Sequence, residues 1–468
     1  MFPSTSRASQ REPRQRRRDD HHLHHDGFDR RQPGGHPNPG PARVAVASTV
    51  GSVIEFYDFI IYGTAAALVF PAVFFPALGP AAGTIASFAT FAVAFVARPL
   101  GALIFGHFGD KLGRKKTLVV TLLIMGGATA LVGVLPDASA IGVAAPILLI
   151  ALRFLQGIAV GGEWAGAALM ATEHAPAHRR GLWASFPQLG ASLGFALASA
   201  TFLITNLTLG DQSDAFISWA WRIPFVVSAL MVLIGLYIRL KVEETPVFRE
   251  EQERAAAAPA TAPRRLPVLE ALRHQPREVL LGGGAAVLLF AFFYIGTAFL
   301  TSYGTATLGL SRPAVLTMGI IAALCFSVGT ILAGALSDRF GRRRVILVSV
   351  IIAVPWALAL FPLLDIGELW AFGVGLSVTM FITGGSYGPV GSYLPELFAT
   401  RYRYTGAGMA YNLAALVGGG ITPLVAASLA GSFGGNAIGL LLAGVAVVSV
   451  ICILVLRETR GASLRDRD

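Results

Sequence analysis

The sequence predicts an all-α membrane protein with twelve transmembrane helices in two six-helix bundles. First, 54% of its 468 residues are hydrophobic and only 14% are charged, with a mean hydropathy of +0.63. Soluble domains are less apolar and more charged than this. Second, the apolar residues form twelve runs, each close to the about 20 residues that cross a bilayer as a helix. Third, a polar motif between apolar runs occurs twice, which indicates an internal duplication.

The two copies of the motif span residues 106–116 and 334–344 and begin 228 residues apart. In both copies a Gly precedes an Asp by four residues, a basic residue follows the Asp, and a second Gly opens a basic triplet. A second pair of features has the same spacing in each half, because Glu173 precedes Arg180 by seven residues and Glu396 precedes Arg403 by seven. The repeat therefore extends beyond one motif and predicts two halves with the same orientation.

The apolar runs and the polar segments between them divide the chain into five parts. The expected parts are a disordered cytoplasmic tail (1–43), an N-terminal six-helix bundle (44–240), a cytoplasmic linker (241–277), a C-terminal six-helix bundle (278–457) and a cytoplasmic tail (458–468). If the helices alternate in direction, 33 of the 37 Lys and Arg residues fall on one side. By the positive-inside rule that side is the cytoplasm, so we expect a multi-pass protein of the cell membrane with both termini inside.

Enzyme, metal and nucleotide chemistry find little support in the sequence. Five of the nine histidines lie in the N-terminal tail and the other four lie in or beside predicted loops. Both cysteines, Cys325 and Cys452, lie in apolar runs without metal-ligand spacing. No glycine-rich stretch leads into the Lys-Ser/Thr of a phosphate loop. The basic residues gather in alternate loops, which argues against nucleic acid. We expect no enzymatic activity, no metal and no cofactor.

Ionisable residues at membrane depth are concentrated in the first half, and such residues usually mark an ion or substrate path. Glu55 and Asp58 lie three residues apart, so they share a helix face. Two neighbouring carboxylates can hold one proton between them because their negative charges repel each other. We predict a proton-coupling role for Glu55 and Asp58, and include Glu163 with them. The alternative is that each carboxylate only neutralises an arginine on a neighbouring helix.

Two arginines in the same apolar runs are the candidates for substrate binding. The planar guanidinium groups of Arg98 and Arg153 match a carboxylate in a bidentate contact. Alternatively, either arginine is a structural ion-pair partner of a buried carboxylate. Other polar side chains are expected to complete the substrate site: Tyr62, Gln156, Tyr303 and Asn412. The predicted substrate is a small anionic or zwitterionic molecule.

The repeated motif lies too close to the cytoplasmic edge to bind substrate, and we predict that it forms a conformational latch. Asp110 and Asp338 can accept hydrogen bonds from helix N-termini in the opposite half, where the helix dipole favours an anion. The alternative is that the motif only anchors the topology. The predicted latch residues are Gly106, Asp110, Gly113, Arg114, Gly334, Asp338, Gly341, Arg342, Glu173, Arg180, Glu396 and Arg403.

Taken together, these motifs resemble the major facilitator superfamily and, within it, the metabolite:proton symporter family that carries shikimate, α-ketoglutarate, citrate or proline and betaine. The matching stretches lie at 55–59, 95–101, 153–163, 221–225, 244–248 and 404–406, in addition to both copies of the motif. Phe56 departs from the tryptophan that is usual in the family. The resemblance implies the major facilitator fold and a secondary active transporter that imports a small organic acid or related metabolite with protons.

Two other functions compete with this prediction. The first is a proton-coupled exporter of drugs or metabolites with the same fold, and the second is a membrane sensor that does not transport. We expect the working protein to be a monomer in the lipid bilayer, with protons and a small molecule as its partners.

Overall fold

A computed structural model describes residues 41–112, 114–209, 214–241, 267–399 and 403–461 of the chain. Residues 1–40 of the predicted N-terminal tail, most of the predicted linker and the end of the C-terminal tail lie outside these residues, so the predicted domain boundaries stay predictions. Within the described residues the protein is almost entirely helical.

The described residues form twelve long helices, as the apolar runs predict. Six belong to the first half: α1 Pro41–Leu68, α2 Gly79–Leu112, α3 Arg114–Val134, α4 in two pieces (Ala144–Val160 and Glu163–His174), α5 Arg180–Leu209 and α6 Ile223–Lys241. Six belong to the second half: α7 Pro276–Thr307, α8 Arg312–Phe340, α9 Arg342–Leu364, α10 Leu369–Leu397, α11 Arg403–Phe433 and α12 Gly435–Val455. Short helices at Phe70–Phe74, Ala138–Ile141, Asp214–Ser218 and Pro267–His274 lie between them.

Ten of the described helices are long and apolar enough to cross a membrane. In α3, residues Val119–Val134 form a shorter apolar stretch, and α1, which carries Glu55 and Asp58, is not among the ten. Large apolar side chains on the outside of the molecule are exposed, for example Val143, Leu233 and Leu440. Such a surface is stable against lipid tails and costly in water.

The helix contacts repeat between the two halves. In the first half α1 packs along α5, α2 along α4, and α3 along α6; in the second half the same pairs are α7 with α11, α8 with α10, and α9 with α12. The contacts between the halves are reciprocal as well, because α5 packs on α8 and α2 packs on α11. The structure therefore has the duplicated architecture that the repeated motif predicts.

Glycines explain why α2 and α4, and likewise α8 and α10, pack backbone to backbone. A Cβ on Gly101, Gly157 or Gly161 would overlap a backbone carbonyl oxygen of the partner helix, and Gly329, Gly384 and Gly388 are the corresponding glycines between α8 and α10. Small residues allow this approach between transmembrane helices. It holds α4, which carries Arg153, close to α2, which carries Arg98.

Three helices depart from regular α-helix geometry along part of their length. Gly161 and Gly162 form a turn that divides α4, and the carbonyl oxygens of both accept hydrogen bonds from α11. Asn412 Nδ2 donates to Gly161 at 3.0 Å, and the Tyr404 hydroxyl donates to Gly162 at 2.6 Å. α7 contains two π-helical segments, Ile295–Phe299 and Tyr303–Thr307, and α11 contains one, Ala415–Ile421.

Candidate functional site

Asp58 lies at the centre of the first six-helix bundle and is completely buried. Its carboxylate accepts hydrogen bonds from two hydroxyl groups on other helices. Ser228 of α6 donates to Oδ1 at 2.5 Å, and Thr129 of α3 donates to Oδ2 at 3.4 Å. Glu55 lies one helical turn away on α1 and is also buried. Within the described residues, the hydrogen-bond donors of Asp58 are thus hydroxyls rather than an arginine, contrary to the direct ion pair that one alternative envisages.

Gln156 connects this region to Arg153. Its amide nitrogen donates to Thr129 Oγ1 at 2.6 Å, and its amide oxygen accepts from Arg153 Nη1 at 3.0 Å. Both polar ends of the Gln156 side chain are therefore engaged within the protein. The prediction that Gln156 contacts substrate stays untested, but the geometry makes it a link between Thr129 and Arg153.

Arg153 is fully buried and surrounded by aromatic rings. The carbon atom at the centre of its guanidinium lies 3.9 Å from the ring centroid of Phe59, 4.1 Å from that of Tyr62 and 4.9 Å from that of Phe91. These contacts stabilise the positive charge but satisfy no N–H group. Nε and Nη2 of Arg153 make no hydrogen bond to the described residues. Buried donors without an acceptor destabilise a protein, so an acceptor bound beside Arg153 would be stabilised.

Arg98 approaches the same Phe59 ring from α2. Its guanidinium carbon lies 4.5 Å from the Phe59 centroid and 4.9 Å from that of Phe95, and its Nε likewise makes no hydrogen bond to the described residues. Two buried positive charges on one ring would repel each other unless an anion lies near them. The position of Arg98 and Arg153 therefore favours a negative charge close to Phe59.

Aromatic rings from both halves surround these arginines. Tyr294 of α7 packs on Phe59, Phe91 and Phe95 of the first half, with ring centroids 5.9, 5.5 and 5.0 Å apart. Trp164 of α4 and Tyr411 of α11 stack face to face, with centroids 3.7 Å apart and an angle of 6° between the rings. The two halves therefore meet through aromatic rings, edge to face at Tyr294 and face to face at Trp164 and Tyr411.

The other predicted substrate and coupling residues lie at different places. The Tyr62 hydroxyl donates to Thr90 at 2.9 Å and its ring contacts Arg153, so Tyr62 lies directly beside this arginine. Asn412 bonds to the turn in α4, and Glu163 is a buried residue at the start of the second piece of α4. The Tyr303 hydroxyl, in contrast, donates to Asp365 at 2.7 Å, at the end of α9 opposite the repeated motif.

At the repeated motif of the second half, Asp338 joins the two halves. Its carboxylate accepts hydrogen bonds from the backbone nitrogens of Gly181 and Leu182, at 2.8 and 2.9 Å. Gly181 and Leu182 are the second and third residues of α5, in the first turn, where the helix dipole favours a negative charge. Arg342 holds the same carboxylate with an Nη2–Oδ1 distance of 3.1 Å. This is the geometry that the sequence analysis expects of Asp338.

Further charged residues extend this contact. Arg342 Nε lies 3.4 Å from Glu396 Oε2, and Arg180 is near enough to Glu396 to interact electrostatically. Gly334 packs against Ser185 of α5, Gly341 has a φ of +101°, and Arg403 is buried at the start of α11. Five predicted latch residues lie where the structure describes no side chain: Gly106, Asp110, Gly113, Arg114 and Glu173.

Sequence reasoning did not identify Thr129, Ser228 or Phe59 as site residues. Serine and threonine are common in transmembrane helices, where they usually bond to the carbonyl four residues earlier. Thr129 does this too, to Met125 at 2.9 Å. Its second contact, to a carboxylate, depends on the packing of α1 against α3 and leaves no pattern in the sequence.

Two six-helix bundles around buried arginines and carboxylates define a membrane transporter rather than an enzyme. The sequence profile of the Major Facilitator Superfamily matches residues 50–416. The chain belongs to this superfamily.

The curated relatives are transporters as well. The chain is 45% identical to the inner membrane metabolite transport protein YhjE of Escherichia coli K12, over 90% of the chain and 95% of the relative. It is 40% identical to the shikimate transporter of the same organism, with the same coverage, and 32% identical to its proline/betaine transporter, over 91% of the chain and 85% of the relative. These relatives agree with the expectation of a multi-pass transporter.

Among solved structures, the fold is similar to the crystal structure of a D-xylose-proton symporter. The TM-score is 0.69, and the match covers 90% of this chain and 99% of that chain at 20% sequence identity. At this identity the comparison supports the fold alone.

Proposed function

We propose that this protein imports a small organic acid or related metabolite together with protons, by alternating access. The observation that carries the proposal is the set of three buried guanidinium nitrogens without an acceptor, on Arg98 and Arg153 around Phe59. A substrate carboxylate would supply acceptors to both guanidinium groups, and such charge-assisted bonds are about twice as strong as neutral ones.

Proton coupling is assigned to Asp58, with Glu55 and Glu163 as further candidates. Asp58 is held by two hydroxyls, so it can gain or lose a proton without breaking an ion pair to an arginine. Its negative charge and that of a substrate carboxylate would lie in the same bundle and disfavour each other. Binding of the anion therefore favours protonation of Asp58, which makes the two binding events cooperative.

The names of the relatives support this substrate class. Shikimate is a carboxylic acid, while proline and betaine are zwitterions, and all three carry a carboxylate. We propose an anionic or zwitterionic carboxylate as the substrate, with Arg98 and Arg153 as its binding groups and Tyr62 beside them.

Alternating access requires contacts between the halves that form in one state and break in the other. The bonds from Asp338 to the first turn of α5 fit this role, since they connect the two halves at one end of the molecule. We propose that this end, here called the motif end, faces the cytoplasm, that both termini lie on that side, and that a monomer is the working unit.

Two measurements test the proposal. A thermal-shift screen of purified protein with shikimate, α-ketoglutarate and betaine should identify a stabilising ligand, because ligand bound to the folded state raises its stability. Uptake of that ligand into cells, with and without a protonophore, should then show accumulation that is lost when the proton gradient collapses. Depletion of the ligand from energised cells would refute import in favour of export, and accumulation unaffected by the protonophore would refute proton coupling.

A further inference from the structure

Five buried polar side chains of the first bundle form one continuous chain of hydrogen bonds: Ser228, Asp58, Thr129, Gln156 and Arg153. They come from α6, α1, α3 and α4, and each is at most 1% exposed. We propose that Thr129 and Gln156 are positioning residues that transmit the protonation state of Asp58 to the guanidinium of Arg153. This inference rests on the proposed function, because it assumes that Asp58 carries the coupled proton and that Arg153 binds the substrate.

Within this chain of hydrogen bonds, Thr129 is the residue whose hydroxyl can change its acceptor. Its hydroxyl has one proton but two acceptors in reach, Met125 O at 2.9 Å and Asp58 Oδ2 at 3.4 Å. An ionised Asp58 attracts this proton more strongly than a carbonyl does, because bonds to a charged acceptor are stronger. A protonated Asp58 loses this advantage, and the hydroxyl turns to Met125. The hydroxyl of Thr129 therefore has two orientations that depend on the charge of Asp58.

Gln156 transmits this difference because its amide binds the same hydroxyl oxygen. When Thr129 donates to an ionised Asp58, its oxygen becomes a better acceptor for Gln156 Nε2, since consecutive hydrogen bonds polarise one another. The amide oxygen of Gln156 in turn accepts more strongly from Arg153 Nη1. Ionised Asp58 thus strengthens the hydrogen bond from Arg153 Nη1 to Gln156, and protonation of Asp58 weakens this bond. Arg153 is then free to turn its donors toward a substrate carboxylate.

Other charged groups near Asp58 act on its protonation but not through this chain. Glu55 and Tyr57 on α1 are close enough to interact with Asp58. From α3 and α6 the groups that face it are the hydroxyls of Thr129 and Ser228, and Arg153 of α4 reaches it through Gln156. Glu55 and Tyr57 have no part in the bonds between Asp58 and Arg153, so a change at Thr129 should leave their effect intact.

Infrared difference spectra of purified protein, recorded between mildly acidic and mildly alkaline buffer, test the relay without a substrate. Isotope labelling of the arginine guanidinium carbons separates the Arg153 band, which is assigned by its loss in Arg153→Lys. The Asp58 carboxyl band is assigned by its loss in Asp58→Asn. In the unmodified protein we expect both bands to change with pH. In Thr129→Val, which keeps the shape but removes the hydroxyl, the carboxyl band should remain and the pH-dependent arginine band should disappear.

Two control variants separate the relay from general packing. Thr129→Ser keeps the hydroxyl and should restore the arginine band. Thr205→Val removes a buried hydroxyl that bonds to a backbone carbonyl four residues earlier, at 2.7 Å, and should leave both bands unchanged. If Thr129→Val does not fold, Gln156→Met interrupts the chain at its next member and should have the same effect.

The outcomes distinguish this inference from the proposed function. An arginine band that still responds to pH in Thr129→Val or Gln156→Met overturns the relay but leaves Asp58 as the proton site. An arginine band that does not respond in the unmodified protein, beside a carboxyl band that does, also overturns the relay alone. The absence of any Asp58 band overturns both the relay and the proton-coupling role of Asp58.

Discussion

Replacing Gly181 by alanine should force the motif ends of α5 and α8 apart. Gly181 is the second residue of α5, and its backbone nitrogen donates to Asp338. A Cβ at this position would lie 2.6 Å from the Gly334 carbonyl oxygen and 3.0 Å from Asp338 Oδ1, and it would also overlap the Ser337 hydroxyl. Ser337 can rotate away, but the Gly334 oxygen belongs to the backbone of α8. The helices must separate before the methyl group fits.

The geometry sets the size of the effect. Moving the Gly334 oxygen from 2.6 Å to the 3.0 Å that a Cβ tolerates requires a shift of at least 0.4 Å. Overpacking of this kind destabilises a close-packed contact by about 1–3 kcal/mol. Alanine also favours the helix by about 1 kcal/mol over glycine. This gain does not change the balance between a closed state, with α5 and α8 in contact at the motif end, and an open state, with them apart, as long as α5 stays helical. The equilibrium ratio of the closed to the open state should therefore fall by a factor of about 5 to 150.

Spin-label distance measurements can detect this shift. Arg179 and Arg344 are exposed residues of the first and second half near the motif end, and the two native cysteines, Cys325 and Cys452, can be replaced beforehand. In Gly181→Ala we expect the distance distribution between the two labels to move to longer values. The matched control is Gly127→Ala in α3, where a Cβ meets no atom within 4 Å.

An unchanged distance distribution in Gly181→Ala would refute the reasoning, since the methyl group would then fit without separating the helices. The same shift in Gly127→Ala would also refute it, because the effect would come from helix propensity rather than from the contact between the halves.

Three further variants test other parts of the site. Asp58→Asn should abolish accumulation driven by a proton gradient while substrate exchange continues, and undiminished accumulation in proteoliposomes would remove Asp58 from the coupling role. Arg153→Lys keeps the charge but loses the planar fork, and the loss of one bond to a carboxylate is worth about 1.5–3 kcal/mol. It should weaken apparent affinity for the ligand found by thermal shift by about 10- to 150-fold, and unaltered affinity would favour a structural role. Asp338→Asn removes the charge at the N-terminus of α5, worth about 0.3–2 kcal/mol, and should lengthen the same label distance; no change would mean that Asp338 does not hold the closed state.

Much of the fold follows from the sequence because the membrane restricts the possibilities. Apolar runs of sufficient length must be helices in lipid, since backbone groups there bond within their own segment. The copied motif then predicts two equivalent halves, and the structure has both. The contact between Asp338 and the start of α5 is predictable as well. The positive end of a helix dipole lies at its N-terminus and stabilises a carboxylate there. The breaks in α4, α7 and α11 are not predicted, because the length of an apolar run does not indicate where the hydrogen-bond pattern inside a helix changes.

The site is less predictable than the fold. Arg98, Arg153 and Asp58 stand out in the sequence because charges are rare within apolar runs. The sequence predicts that Gln156 contacts the substrate; both ends of its side chain bind protein atoms, and the substrate contact stays a prediction. Thr129 is not predicted as a site residue, because the role of a buried hydroxyl depends on the side chain that it contacts, here Asp58. The sequence shows which charged residues lie within apolar runs and are therefore costly to bury. It does not show their hydrogen-bond partners, because these lie on helices distant in sequence.

The π-helical segments of α7 and α11 give the two halves different mechanical properties. Their counterparts in the first half, α1 and α5, are continuous α-helices. A π-helical turn holds an additional residue and disturbs the regular bonding of the backbone, so a helix bends more easily there. We therefore expect α1 and α5 to move as stiff helices, while α7 and α11 bend at their π-helical turns. Helices that occupy equivalent places in the two halves would then differ in flexibility.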